Sequence, residues 1–149
     1  MRVYLACTVR GDRGGLLAAR AIAQRLRAHG HEILTSHLLD EGVDDAEASQ
    51  SERAVFERDR AWLDACDALV AETSGSSYGV GFEVGYLTGR GAATGQRVFI
   101  LYDATRRHQL SRLMLGHTDP RGAACAYRTV DDVLTFIDAH FGPAAGASA

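Results

Sequence analysis

The chain contains no lysine: its basic residues are 16 arginines spread along the sequence, set against 19 acidic residues for a formal net charge of −3. Without a basic block or a strong positive excess, a general nucleic-acid binder or a partner of anionic membrane surfaces is excluded. Cysteine is scarce too. Cys7, Cys66 and Cys125 lie far apart in apolar contexts and lack metal-ligand spacing, so they read as small buried thiols of a reduced, cytoplasmic chain. His29, His31, His108, His117 and His140 share no ligand spacing either, and neither a metal nor a cofactor is expected. No hydrophobic run reaches membrane-spanning length, and the N-terminus enters an apolar strand pattern rather than a signal peptide. No internal repeat or linker interrupts the 149 residues. The 46% hydrophobic content supports one domain over residues 1–141, with a small-residue tail at 142–149 that reads as disordered.

What is present alternates strand and helix. Arg2 to Thr8 is a short β-prone run ending in a glycine-rich turn, and Leu16 to His29 is an amphipathic helix stopped by Gly30. His31 to Thr35 gives a second strand. Asp40 to Glu52 is acidic and poor in large apolar residues, which predicts a mobile loop, either a solvated connection or a lid. Glu52 to Asp67 is a helix, Ala68 to Ala71 a buried strand, and a further helix runs to about Gly89. Arg97 to Tyr102 is the clearest strand, followed by a polar loop (Asp103 to His108) and a helical piece (Gln109 to Leu115). An edge strand (Ala124 to Arg128) and a closing helix (Val130 to Phe141) complete the chain. This order predicts an α/β fold: a single doubly wound, five-stranded parallel sheet of flavodoxin or Rossmann-like type, with helices on both faces and a site at the strand C-terminal ends.

Two carboxylates stand out. Val70 to Tyr86 reads as a strand end, a hydroxyl-rich loop and a helix start, the usual setting of an anion site. Glu83 lies inside its glycine run, where it would repel a pyrophosphate. That weakens a dinucleotide reading of Gly79, Gly81 and Gly85, whose spacing also departs from the common pattern. A single-phosphate pocket fits better, with Ser76, Ser77 and the N–H groups near Gly79 and Gly81 as donors and Arg10 as the charge. Asp59 falls within the apolar stripe of its helix beside Val55, Trp62 and Leu63, where a carboxylate is costly unless paired or functional. An ionised carboxylate can attack a sugar C1, and a second can protonate the leaving group or activate water. On the residues alone Ser77 also fits a helix cap, Tyr4 a core aromatic, Ser111 a helix-start serine, and His37 either a surface residue or a pocket wall.

These stretches resemble the 2′-deoxynucleoside 5′-phosphate N-hydrolases, within the nucleoside 2-deoxyribosyltransferase-like superfamily. The resemblance is carried by Tyr4 to Gly11, Asp59 to Leu63, Asp67 to Glu72, Ser77 to Gly85 and Leu110 to Met114, colinear from Arg2 to about Phe141. It implies hydrolysis of the N-glycosidic bond of a nucleoside 5′-monophosphate through a covalent glycosyl–Glu83 intermediate. Asp59 would be the partner carboxylate, and Tyr4 the phenol at the reacting centre that goes with 2′-deoxy sugars. Thr8, Arg10, Ser77 and Gly79 would bind the 5′-phosphate in a loop that includes Gly11, and Val9 and His37 would line the base pocket. Ser111 would reach the neighbouring site of a homodimer. The family more often has serine where Thr8 stands, and the Asp40 to Glu52 loop has no match. Relatives with the same glutamate act on CMP-type ribonucleotides, so the sugar stays open. The alternatives are deoxyribosyl transfer between bases and a nonenzymatic nucleotide-binding module.

Overall fold

The computed structural model describes residues 1–40 and 42–143. Five strands form one all-parallel sheet: β1 (Arg2–Ala6), β2 (Glu32–Ile33), β3 (Ala68–Glu72), β4 (Arg97–Asp103) and β5 (Ala123–Tyr127), in the order β2-β1-β3-β4-β5. That is the flavodoxin-like order expected. β1 and β3 are adjacent although the chain leaves the sheet twice between them, so their C-terminal ends open a crevice.

The side-chain period of two divides the core. Val3, Leu5, Val70, Phe99 and Leu101 pack under α1 (Leu16–Ala28) and α6 (Val130–Phe141), while Tyr4, Ala6, Leu69, Ala71 and Ile100 pack under α3 (Glu52–Ala65) and α4 (Tyr78–Thr94). Burying a large apolar side chain such as Ile22, Leu101 or Ile137 contributes about 1.5–3 kcal/mol each. The first turn of α6 is fixed by a capping box, in which the Thr129 hydroxyl accepts from Asp132 N–H and the Asp132 carboxylate accepts from Thr129 N–H.

Several boundaries differ from expectation, each for a physical reason. β2 stops after two residues because the Thr35 hydroxyl accepts from Leu5 N–H at 3.0 Å and donates to Leu5 C=O at 2.6 Å, taking over the ladder there. Leu38 and Leu39 then turn inward in a 3-10 segment, Ser36–Leu39. The acidic stretch is not simply a loop: it contains α2 (Val43–Ala48), pinned to the α1 side of the core by the buried Val43. Arg13 and Arg20 hold the approach to it by donating to the carbonyls of Leu38, Leu39 and Asp40. α4 continues past Gly89 to Thr94 and ends on Gly95 in the left-handed region (φ 75°). Within it, Gly91 is required by close packing, since a Cβ there would meet Arg121 and the Gln96 carbonyl. The polar stretch after β4 is a 3-10 turn (Ala104–Gln109) capped by Asp103, and the helical piece beyond it shortens to α5 (Arg112–Leu115). Of the predicted tail, Gly142 and Pro143 follow α6, and residues 144–149 lie outside the described residues.

Candidate active site

Tyr4 sits in the middle of β1 with no exposed surface, on the face covered by α3 and α4. Its phenol donates to Oε1 of Glu83 at 2.5 Å. Glu83 reaches this point because α4 begins at Tyr78 and places its sixth residue one and a half turns in, over the end of β1. Burial raises the Tyr4 pKa well above its ordinary value, and the negative charges of Glu83 and Asp59 raise it further. The phenol therefore remains a proton-bearing donor, and Oε2 of Glu83 is the oxygen outside that bond.

Asp59 comes from the inward side of α3, as its phase predicted, and lines the same cavity as Glu83. Its Oδ1 accepts from Arg58 Nε at 2.8 Å, and the Arg58 guanidinium lies 5.0 Å from the Trp62 ring. Arg58 touches the site through Asp59 and was not among the residues expected from the sequence. Its signal was the Arg58–Trp62 spacing of four on a helix whose inner face carries a carboxylate.

The cavity, about 770 Å³, is of a size usual for small-molecule sites. Val9 and Arg10 enter from the β1–α1 turn, Ser77 from the β3–α4 turn and Gly79 from the first turn of α4. The Ser77 hydroxyl caps α4, accepting from Val80 N–H at 3.4 Å, and the residue also lines the cavity. Further walls come from Leu38, Val55 and Phe56 and from Ala48 at the end of α2, Gln50 after it and Glu52 at the start of α3, so the acidic stretch does border the site. Cys7 also lines it, with its thiol pushed up to about 11, chiefly by burial.

Five expected residues lie off the cavity wall, the fully buried Tyr4 among them. The Thr8 hydroxyl is buried where the two turns approach each other: a Cβ on Gly75 would run into it and into the Asp12 carbonyl. Gly11 shapes the turn with φ 94°, a conformation that favours glycine. The His37 ring packs on Trp62 with centroids 5.4 Å apart, behind Leu38. Ser111 precedes α5 and borders a separate cavity of about 390 Å³, shared with Ser77, Leu113 and Met114. Among the described residues no three or more His, Cys, Asp or Glu side chains are grouped to hold a metal ion, and no helix is long and apolar enough to cross a membrane.

Fold and cavity together define a class: a doubly wound α/β protein with a phenol-held glutamate and a second carboxylate at the C-terminal edge of the sheet. The sequence model of nucleoside 2-deoxyribosyltransferases matches residues 3–135, and the chain belongs to that family. A relative from Thermofilum pendens, named among the 2′-deoxynucleoside 5′-phosphate N-hydrolases, is 38% identical over 138 residues, which are 93% of this chain and 93% of the relative. The mouse protein named 5-hydroxymethyl-dUMP N-hydrolase is 34% identical over 119 residues, 78% of this chain and 66% of that one. Among solved structures, a CMP N-glycosidase from Clostridium botulinum shares the fold with a TM-score of 0.66 at 20% identity, covering 94% of this chain and 99% of that one.

Proposed function

We propose that the protein hydrolyses the N-glycosidic bond of 2′-deoxynucleoside 5′-monophosphates, releasing the free base and deoxyribose 5-phosphate. The observation that carries this reading is the Tyr4–Glu83 hydrogen bond, which aims a carboxylate into a cavity whose other wall bears Asp59. The names of the Thermofilum pendens and mouse relatives support the same reaction.

The steps follow from the two carboxylates. Glu83 Oε2 attacks C1 of the sugar, the C1–N bond breaks, and its electron pair leaves with the base. Asp59 passes a proton to the departing base. Asp59, now a carboxylate, then takes a proton from water; the resulting hydroxide attacks C1 and frees Glu83. Tyr4 holds Oε1 throughout, and the family resemblance couples a tyrosine at this place to the deoxy sugar. Arg10, Ser77 and Gly79, with Thr8 and Gly11 shaping the turn behind them, hold the 5′-phosphate at the start of α4. Val9 faces the base, and His37 supports that wall through Trp62 and Leu38.

Incubation with deoxy- and ribonucleoside monophosphates, with products separated by chromatography, tests the reading. The expected products are free base and sugar 5-phosphate, faster from the deoxy substrates. Added second base distinguishes the alternative, because a transferase would make a new nucleoside. A bound nucleotide recovered intact would instead favour a nonenzymatic binding module.

The second cavity supports a homodimer. Tyr78 is 101% and Leu113 86% exposed beside Ser111 and Ser77, an apolar rim suited to a second copy whose Ser111 reaches the phosphate. Sedimentation equilibrium is expected to read a dimer that Leu113→Glu dissociates; a monomeric wild type would contradict it. The unpaired cysteines fit a reducing, cytoplasmic setting.

A further inference from the structure

Glu72 is a buried carboxylate that this chemistry leaves unused. It ends β3 with 1% exposure and, by strand alternation, points to the α1 side of the sheet, opposite Tyr4. Its carboxylate accepts from Ser74 N–H at 3.2 Å, from the Ser74 hydroxyl, and from the Tyr127 hydroxyl at 2.9 Å. The Ser74 hydroxyl oxygen in turn accepts from Asp103 N–H at 2.7 Å. The carboxylate fills the space against Gly15, at the start of α1, where a Cβ would overlap it. Burial raises the Glu72 pKa despite these bonds. A buried carboxylate is costly unless its hydrogen bonds are made, and here those bonds tie the end of β3 to the Ser74 turn and to β5.

A second tie starts from Arg106, in the turn after β4. It donates to the Asp12 carboxylate, and its Nη1 lies 3.5 Å from the Ser74 carbonyl oxygen. Asp12 also accepts from Gly14 N–H at 2.8 Å. One arginine therefore joins the turn carrying Arg10 and Gly11 to the turn carrying Ser76 and Ser77.

We infer that Glu72 and Arg106 are positioning residues for the phosphate site: Glu72 fixes the path of the Ser74–Ser77 turn, and Arg106 locks that turn to the Arg10–Gly11 turn. The two halves of the cradle are then set before a nucleotide arrives, which removes an ordering cost from binding. The inference rests on the proposed function, in which these turns hold the 5′-phosphate.

The test compares Glu72→Gln, Arg106→Met and Arg106→Lys with wild type. It measures kcat and KM for a deoxynucleoside monophosphate and the inhibition constant of the matching unphosphorylated nucleoside. Glu72→Gln and Arg106→Met are expected to raise KM roughly tenfold, with kcat and the nucleoside constant nearly unchanged, since only phosphate contacts lose their preset geometry. Arg106→Lys should recover part of the loss. Equal weakening of nucleotide and nucleoside, or no change in either, overturns the inference. Arg10→Met and Ser77→Ala separate it from its premise. If they too leave the nucleotide-to-nucleoside ratio intact, the phosphate reading has failed; if they alter it while Glu72→Gln and Arg106→Met do not, only the positioning role has failed. Should Glu72→Gln not fold, the half-buried Arg106 decides through its own two variants.

Discussion

Glu83→Ala is expected to reduce base release from every nucleoside monophosphate by on the order of 10⁴-fold or more, because the glycosyl ester cannot form without that carboxylate. The loss should fall on kcat, while KM, set mainly by phosphate and base contacts, changes little. Alanine also strips the buried Tyr4 phenol of its acceptor, which costs roughly 1–3 kcal/mol of stability. Glu83→Gln separates the two effects. It keeps an acceptor for Tyr4 and a similar shape, yet cannot form the ester, so it should fold like wild type and remain inactive. Product assays with thermal unfolding on all three proteins check this, and substantial turnover by either variant would remove Glu83 as the nucleophile.

Asp59→Asn should lower kcat by about 10²–10⁴-fold, the usual worth of a positioned acid and base. Proton delivery to the leaving base gives this prediction a sharper form. A nucleotide whose base departs readily as an anion needs that proton less, so the variant should lose much less on such a substrate than on an ordinary one. Equal losses on both would mean that Asp59 acts on something other than the leaving group. Arg58, held to Asp59 at 2.8 Å, moves with it and belongs in the same comparison.

Sheet order, the two-sided core and the placement of Glu83 and Asp59 in one cavity were legible from pattern: helix phase for Asp59, and a strand–loop–helix start for Glu83, whereas Tyr4 read as a core aromatic on the residues alone and came to the site only through the family resemblance. What escaped depends on single tertiary contacts. The truncation of β2 turns on one hydroxyl, that of Thr35, and α2 depends on one buried valine in an otherwise acidic stretch. α4 outlasts Gly89 because Gly91 lets Arg121 and Gln96 approach, a packing reason that propensity cannot register. His37 was expected on the pocket wall, but the ring turns to Trp62 and leaves Leu38 facing the cavity. Glu72 stood just past the strand expected over Ala68 to Ala71; the ring of partners that gives it a role comes from Ser74, Tyr127 and the missing side chain of Gly15, which lie far apart in the chain.

The segment from Val43 to Glu52 touches the rest of the molecule unevenly: Val43 is anchored in the core, while Ala48, Gln50 and Glu52 border the cavity. None of the groups proposed to do the chemistry lies on it. Changes of length or composition in that stretch are therefore expected to reshape the mouth of the cavity while leaving Tyr4, Asp59 and Glu83 in place on β1, α3 and α4.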